Sequence, residues 1–370
     1  MPRLPSSIII KAYQRHSLLP LLLSQCRTID SAQNELRWLQ ERVRCMQNEL
    51  SSRTGAASGR HVRWNKILRS MCRARSKGLP LQYIIGDQPF GDLEILCRKG
   101  VLIPRTETES FTLHAAQLAL KHFKDHVNAE NAGHTRRLRI LDLCSGTGCM
   151  SLLLHSVLAQ HIGQISSVGI DLSPTAVKLA SDNLAHNLQL GLLSARARTE
   201  IHFRQGNVLA ARDTAAPGVE DVLREFPEYA SETGPRCDIL VANPPYVAPQ
   251  SFWDGTTARS VRIFEPRLAL VPPSPGDSLA SESVRQEDVF YYEIIHLAFR
   301  LCPQLVLLEC GSRLQAERVV RIYDDLAGEL RQGRPFETQI LPGWDPDPDA
   351  DVSGESGACA VILQQPTYSD

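Results

Sequence analysis

The sequence has no excess of charge: 40 lysines and arginines stand against 41 aspartates and glutamates, for a formal net charge of −1. Gripping long stretches of nucleic acid requires a positive field that displaces counterions from phosphates, and globally this chain has none, although local basic patches stay open. Ten cysteines, at 26, 45, 72, 97, 144, 149, 237, 302, 310 and 359, form no C-x-x-C pair, and no His-rich cluster has zinc-ligand spacing. Reduced thiols and no structural metal are the expectation. Pro5 and Pro20 interrupt the apolar runs around Ile8 and Leu21, leaving neither long enough to span a bilayer, and no other stretch reaches that length. Acidic residues are missing before Asp30, while Arg3, Lys11, Arg15 and Arg27 stand among serines, leucines and isoleucines. That is the profile of a mitochondrial targeting segment, assigned here to residues 1–30. An amphipathic helix of an N-terminal domain would read the same way.

What the chain does have is length and apolar mass. Its 370 residues, 43% hydrophobic and 22% charged, can bury a full core and suggest two domains or one domain with an appendage. From Ser31, Leu36, Leu39, Val43, Met46 and Leu50 recur at three- and four-residue steps, a helical period that ends in the Ser- and Gly-rich stretch 51–59. A second helix over Val62 to Ser76 stops at Gly78 and Pro80, so residues 31–80 read as a small helical domain. Residues 81–104 read as a hairpin linker, with short strands at Leu81 to Ile85 and Leu93 to Leu96 and turn residues Gly86, Asp87 and Gly91 between them. Thr106 and Glu109 have capping-box spacing ahead of a helix whose apolar face is Phe111, Ala115, Leu118 and Phe123.

Residues 105–370 form the large domain. From Leu138 onward strands alternate with helices: Leu138 to Leu143, Ser167 to Ile170, Glu200 to Phe203, Asp238 to Ala242, Leu305 to Glu309, Glu337 to Leu341 and Cys359 to Leu363. The alternation predicts an α/β fold, an open and mainly parallel sheet covered on both faces. The last two strands have only a Pro- and Asp-rich segment between them, so the final strand is expected to run antiparallel. Such a sheet places ligands at the carboxyl ends of its strands.

Four strand ends carry the chemistry. The first gives LCSGTGC, where small residues at Cys144, Ser145, Gly146, Thr147 and Gly148 let the backbone turn tightly and approach a ligand. Ser151 stands where the third glycine of G-x-G-x-x-G would be, which argues against a dinucleotide. The second ends in GIDLSP, with Asp171 placed to accept both hydroxyls of a ribose or to cap the helix after it. Asn207 and Val208 close the third, positioned to meet an adenine. The fourth ends in Asn243-Pro244-Pro245-Tyr246. Prolines have no N–H and a fixed φ, so the asparagine and adjoining carbonyls face the crevice as acceptors suited to a planar NH2 group, with Tyr246 able to stack on it.

Together LCSGTGC, GIDLSP and NPPY resemble a seven-stranded S-adenosylmethionine-dependent N-methyltransferase, a Rossmann-like fold. The flanking PLQYIIG, VLIPRTETE, FEPRLAL and LLECGSRLQ narrow the resemblance to the HemK/PrmC family, which methylates the N5 nitrogen of the glutamine in the GGQ motif of peptide chain release factors. The match runs from about Leu36 to the C-terminus. It implies that Cys144 to Gly148 and Asp171 hold the methionine and ribose of S-adenosyl-L-methionine, Asn207 and Val208 the adenine, and Asn243 the edge of both cofactor and substrate. It also implies that Asn243 to Tyr246 hold the substrate glutamine, with Asn243, Pro244 and Tyr246 catalytic, and that the helical domain binds a class I release factor in the mitochondrial matrix. No stable nucleic-acid or membrane partner is expected. Phe90, Arg105 and Glu107 shape a release-factor groove or brace the linker.

Cys144 departs from the glycine usual in that loop and Asn207 from a frequent aspartate. Ala210 to Pro235 and Pro272 to Glu287 look like inserted surface loops. Two other functions fit parts of the pattern: methylation of a nucleic-acid base amine, which needs a basic aromatic surface and a flipped base, and a noncatalytic release-factor or ribosome adaptor.

Overall fold

A computed structural model describes residues 3–54, 64–123, 137–209, 216–274, 284–330, 336–343 and 357–366. The chain divides into two compact units, Met1–Asp87 with Ala258–Phe264, and Gln88–Thr257 with Glu265–Asp370.

The first unit is helical. Helices Ser6–Arg15, Leu19–Cys26, Ile29–Thr54 and Trp64–Ser76 surround a core that includes Ala12, Leu19, Leu22, Leu23, Leu36, Leu39, Val43 and Cys72. Pro20 does not break its helix because it sits in the first turn, where a missing N–H forfeits no intrahelical bond. A half-buried ion pair joins two helices of this unit: Arg75 places Nε 2.8 Å from Glu35 Oε2 and Nη2 2.8 Å from Oε1, a bidentate fork. Leu81–Ile85 is a short helix and not the expected strand. Leu81, Ile84 and Ile85 pack against the unit's core, and their i, i+3, i+4 spacing is helical, while Gly86 ends the turn at φ 106°.

The second unit is built on a seven-stranded sheet. Its strands are β3 (Leu138–Leu143), β4 (Ile165–Asp171), β5 (Ile201–Gln205), β6 (Ile239–Ala242), β7 (Leu305–Cys310), β8 (Glu337–Pro342) and β9 (Cys359–Gln364), after a separate two-stranded ribbon of β1 (Asp87–Phe90) and β2 (Leu93–Leu96). The order across the sheet is β5-β4-β3-β6-β7-β9-β8, parallel from β5 to β7 and antiparallel at β7–β9 and β9–β8. All seven strands expected from the alternation are present, and the sheet is the Rossmann-like fold expected. Central strands read as continuous apolar runs because helices cover both faces: β6 and β7 are buried along their whole length.

Two expectations need correction here. Thr106 does not cap the helix Thr106–His122; Arg105 is the N-cap residue, and Thr106 lies inside the first turn. Residues 216–235 are not a surface loop: Val219, Val222, Leu223, Phe226 and Tyr229 are buried in the core, and the Tyr229 hydroxyl lies 2.6 Å from the carbonyl oxygen of Ile140 and 2.9 Å from that of Ser166. Residues 210–215 and 275–283 of the expected insertions lie outside the described residues. Phe90 is a core residue, 1% exposed, as the bracing alternative expects.

The ribbon is docked by two asparagines one helical turn apart. Asn187 accepts from the Glu94 N–H at 3.0 Å and donates to the Glu94 carbonyl at 2.8 Å, and Asn183 accepts from the Leu96 N–H at 2.7 Å and donates to the Thr147 carbonyl at 2.9 Å. Buried amides thus satisfy the backbone of β2 and hold the loop after β3 in place.

Residues 1–30 supply Leu19, Leu22 and Leu23 to the core of the helical unit, so that unit's stability should depend on them. A chain beginning at Ser31 is expected to melt at a lower temperature than the full-length chain, and Leu22→Ala should destabilise the helical unit by about 2–5 kcal/mol. Calorimetric melts identical for all three proteins would contradict this packing.

Candidate active site

The ends of β3, β4, β5 and β6 open onto a cleft of about 1090 Å³, counting its open mouth, that lies wholly within the second unit. It is lined by Cys144, Ser145, Gly146 and Thr147 from the first loop, Asp171 from the second, Asn207 and Val208 from the third, and Asn243 and Pro245 from the fourth. Three of the expected residues do not line it. Gly148 is turned to packing: at φ 77° it lets the chain enter the next helix, and a Cβ there would lie 2.6 Å from the Phe203 ring. Pro244 is buried behind the loop. Tyr246 turns its ring onto Gly311, where a Cβ would lie 2.9 Å from it, and points its hydroxyl at Glu309 Oε1, 3.3 Å away.

Cys144 has φ 59°, a left-handed conformation that a side chain tolerates at a cost of about 1–2 kcal/mol. That accounts for a glycine being the usual residue in such a loop. Asp171 is held by the loop it faces: its Oδ2 accepts from the Gly146 N–H at 2.9 Å and its Oδ1 from the Ser173 N–H at 2.8 Å. Burial raises its carboxyl, and these two bonds pull it back down. Each oxygen keeps a lone pair for a ligand hydroxyl. Asp142 lies beneath, accepting from the Ser151 N–H at 3.1 Å and hydroxyl at 2.7 Å, while its Oδ1 has no partner among the described residues. Burial pushes its carboxyl up to about 7, Ser151 opposes this, and neighbouring Asp171 adds to the rise.

At the fourth loop, Asn243 Nδ2 donates to Thr108 Oγ1 at 3.2 Å, and Thr108 Oγ1 donates to Glu309 Oε2 at 2.6 Å. Glu309, the last residue but one of β7, is 1% exposed and is pushed up to about 7 by burial against the bonds from Thr108 and Tyr246. Arg105, on the cleft wall, donates to Glu265 Oε1 at 2.7 Å, whose other oxygen accepts from the Ile103 N–H at 3.1 Å. Thr108, Glu265 and Glu309 had no role in the reading of the sequence, although they lie in VLIPRTETE, FEPRLAL and LLECGSRLQ. The available signal was Glu309 itself, a carboxylate closing an apolar run as Asp171 does. Among the described residues no group of three or more His, Cys, Asp or Glu side chains could hold a metal ion, and no helix is long and apolar enough to cross a membrane.

Comparison with known proteins places this geometry. No family model matches the chain. The mitochondrial MRF1 N(5)-glutamine methyltransferase MTQ1 of Saccharomyces cerevisiae is 33% identical over 299 residues, covering 80% of this chain and 76% of its own. The chain belongs to the release factor N(5)-glutamine methyltransferase family. A probable mitochondrial counterpart in Schizosaccharomyces pombe is 29% identical, covering 87% of this chain and 90% of its own, and a release factor glutamine methyltransferase of Chlorobaculum tepidum is 31% identical over 56% of this chain and 58% of its own. The burial of Asp142 gives this chain's stability a pH dependence of defined sign. The folded chain binds its proton more tightly than the unfolded chain, so its contribution is full below the ordinary carboxylate range and is lost as pH rises through about 7. Between about pH 5 and about pH 8 the melting temperature of Asp142→Asn should therefore fall less than that of the wild type. Parallel falls in the two proteins would refute it.

Proposed function

We propose that this chain transfers a methyl group from S-adenosyl-L-methionine to the side-chain amide nitrogen of the glutamine in the GGQ motif of a class I peptide chain release factor, in the mitochondrial matrix. The observation that carries the chemistry is the cleft that joins the Asp171 carboxylate to Asn243, whose Nδ2 is committed to Thr108 and whose Oδ1 is therefore its acceptor. The choice of glutamine as substrate is supported by the family, and the mitochondrial setting by the two fungal relatives; the segment before Asp30 packs into the helical unit as the amphipathic-helix reading expects.

The residues present fit the cofactor. Ribose hydroxyls are donors and meet a carboxylate with spare lone pairs at Asp171; the apolar Val208 suits a purine face; and Gly146 faces open space, since a Cβ there would meet nothing nearer than the Cys144 carbonyl oxygen at 3.9 Å. Gly146 thus leaves room for a ligand where Gly148 leaves room for Phe203. When bound, S-adenosyl-L-methionine supplies an electrophilic methyl group on a sulfonium. The protein's part is to hold the glutamine. Asn243 Oδ1 accepts one amide N–H bond, and this orients the nitrogen's free face. An amide nitrogen is a weak nucleophile, so orientation supplies much of the rate, and well-fixed geometry can contribute about 7–11 kcal/mol. The nitrogen becomes strongly acidic once alkylated and releases its proton to water, so no general base is assigned. Arg105, held by Glu265, stands at the mouth as a fixed donor.

The test uses tritiated cofactor and recombinant mitochondrial release factor. Label should enter the wild-type factor and not one whose GGQ glutamine is replaced; label on the replaced protein would point to a different acceptor. Asn243→Ala should reduce kcat by about 100-fold or more while cofactor affinity stays within about threefold. Equal loss of both would assign Asn243 to the cofactor instead.

A further inference from the structure

We propose that Thr108 and Glu309 are positioning residues that set the orientation of the Asn243 amide, and so the polarity of the substrate site. This rests on the reading of Asn243 as the acceptor for the glutamine NH2. A hydroxyl carries one proton and two lone pairs. Thr108 spends its proton on Glu309 Oε2 at 2.6 Å, so toward Asn243 it presents only a lone pair, 3.2 Å from Nδ2. An amide oxygen turned to that lone pair would be repelled, and the Asn243 Oδ1 is directed away from Thr108. Without the carboxylate the hydroxyl could rotate and donate to Asn243 instead. The amide could then flip and offer the substrate a donor where it needs an acceptor.

The position of Glu309 argues for this role. A carboxylate that is 1% exposed costs several kcal/mol in desolvation unless hydrogen bonds offset it, and Thr108 and Tyr246 both lie on it. Its two oxygens hold both polar ends of the same loop, Oε2 through Thr108 to Asn243 and Oε1 directly to Tyr246. Its own backbone is pinned, since the Glu309 carbonyl accepts from the Tyr291 hydroxyl at 2.6 Å. Thr108 is fixed in turn by its place in the first turn of the helix Thr106–His122, where its carbonyl accepts from Thr112 Oγ1 at 2.6 Å.

The experiment measures kcat, KM for the release factor and cofactor affinity for four variants. Thr108→Val keeps the shape and removes the hydroxyl, and is expected to lower kcat about tenfold with cofactor affinity and KM little changed. Thr108→Ser restores the hydroxyl and should recover wild-type kcat. Glu309→Gln can turn an NH2 toward Thr108 and reverse the chain of donors, and should lose as much as Thr108→Val; the double variant should lose no more than either alone. Wild-type kcat in Thr108→Val, failure of Thr108→Ser to recover it, or multiplicative losses in the double variant would each overturn the proposal. If one variant fails to fold, the remaining ones still decide it. A wild type that leaves the release factor unmethylated would instead sink the functional reading on which the proposal rests.

Discussion

The parallel register of β3 with its two neighbours is the constraint on which the site depends. Leu143 pairs with Ile170 of β4 on one side and with Ala242 of β6 on the other, and Ala242 pairs with Leu308 of β7. These four residues form one row across the sheet. The residue that follows each of them, namely Asp171, Cys144, Asn243 and Glu309, therefore stands at the same level, one strand spacing of about 4.8 Å from the next; Asp171 and Glu309 are still within their strands, and Cys144 and Asn243 are the first residues beyond theirs. From β3 the chain proceeds outward through β4 and β5 in one direction and returns through β6 and β7 in the other. Loops at that switch part from one another and leave a crevice, and no insertion is required to make it. A slip of one residue in β6 would turn Asn243 to the opposite face and dissolve the site while leaving the number of strands unchanged.

Placing the row at strand ends also settles its electrostatics. Asp142, Asp171 and Glu309 all lie where burial disfavours the ionised carboxyl, and each is partly compensated by short hydrogen bonds. By linkage, carboxyl groups raised in this way are drawn back toward ionisation by a ligand that brings positive charge, and they bind such a ligand more tightly in return. S-adenosyl-L-methionine carries a sulfonium. Asp142 inside β3 and Asp171 at the end of β4 are two such carboxyls.

Much of this was legible in the amino-acid order because it rests on local chemistry. Strands buried on both faces are continuous apolar runs, and Asp171 and Asn243 are visible as polar residues that end such runs. The partners of those residues were not visible, because they are distant in the chain: Thr108 reaches Asn243 across 135 positions, and Glu265 reaches Arg105 across 160. Tertiary packing also overrode local signals. The Thr106 and Glu109 spacing of a capping box did not place Thr106 outside the helix, and Leu81–Ile85, β-rich in composition, follows the helical spacing of its buried side chains. The polar residues around 216–235 concealed Val219, Val222 and Tyr229, which complete the core beneath β3 and β4.

The double proline gains a sharper account from its surroundings. Prolines restrict the loop and remove two donors, yet they cannot fix where its side chains point. That is done by contacts from β7 and the helix after it. Gln315 accepts from the Gly311 N–H at 2.9 Å and donates to the Tyr246 carbonyl at 3.3 Å, while the Val247 N–H donates to the Leu270 carbonyl at 2.8 Å. Gly311 has no side chain because the Tyr246 ring occupies that space. The tyrosine is therefore held in place behind the cleft lining, with its ring on Gly311 and its hydroxyl on Glu309. The Asn243 amide is thus held by β6 and β7 together: it stands at the end of β6, and Glu309 of β7 holds its partner Thr108.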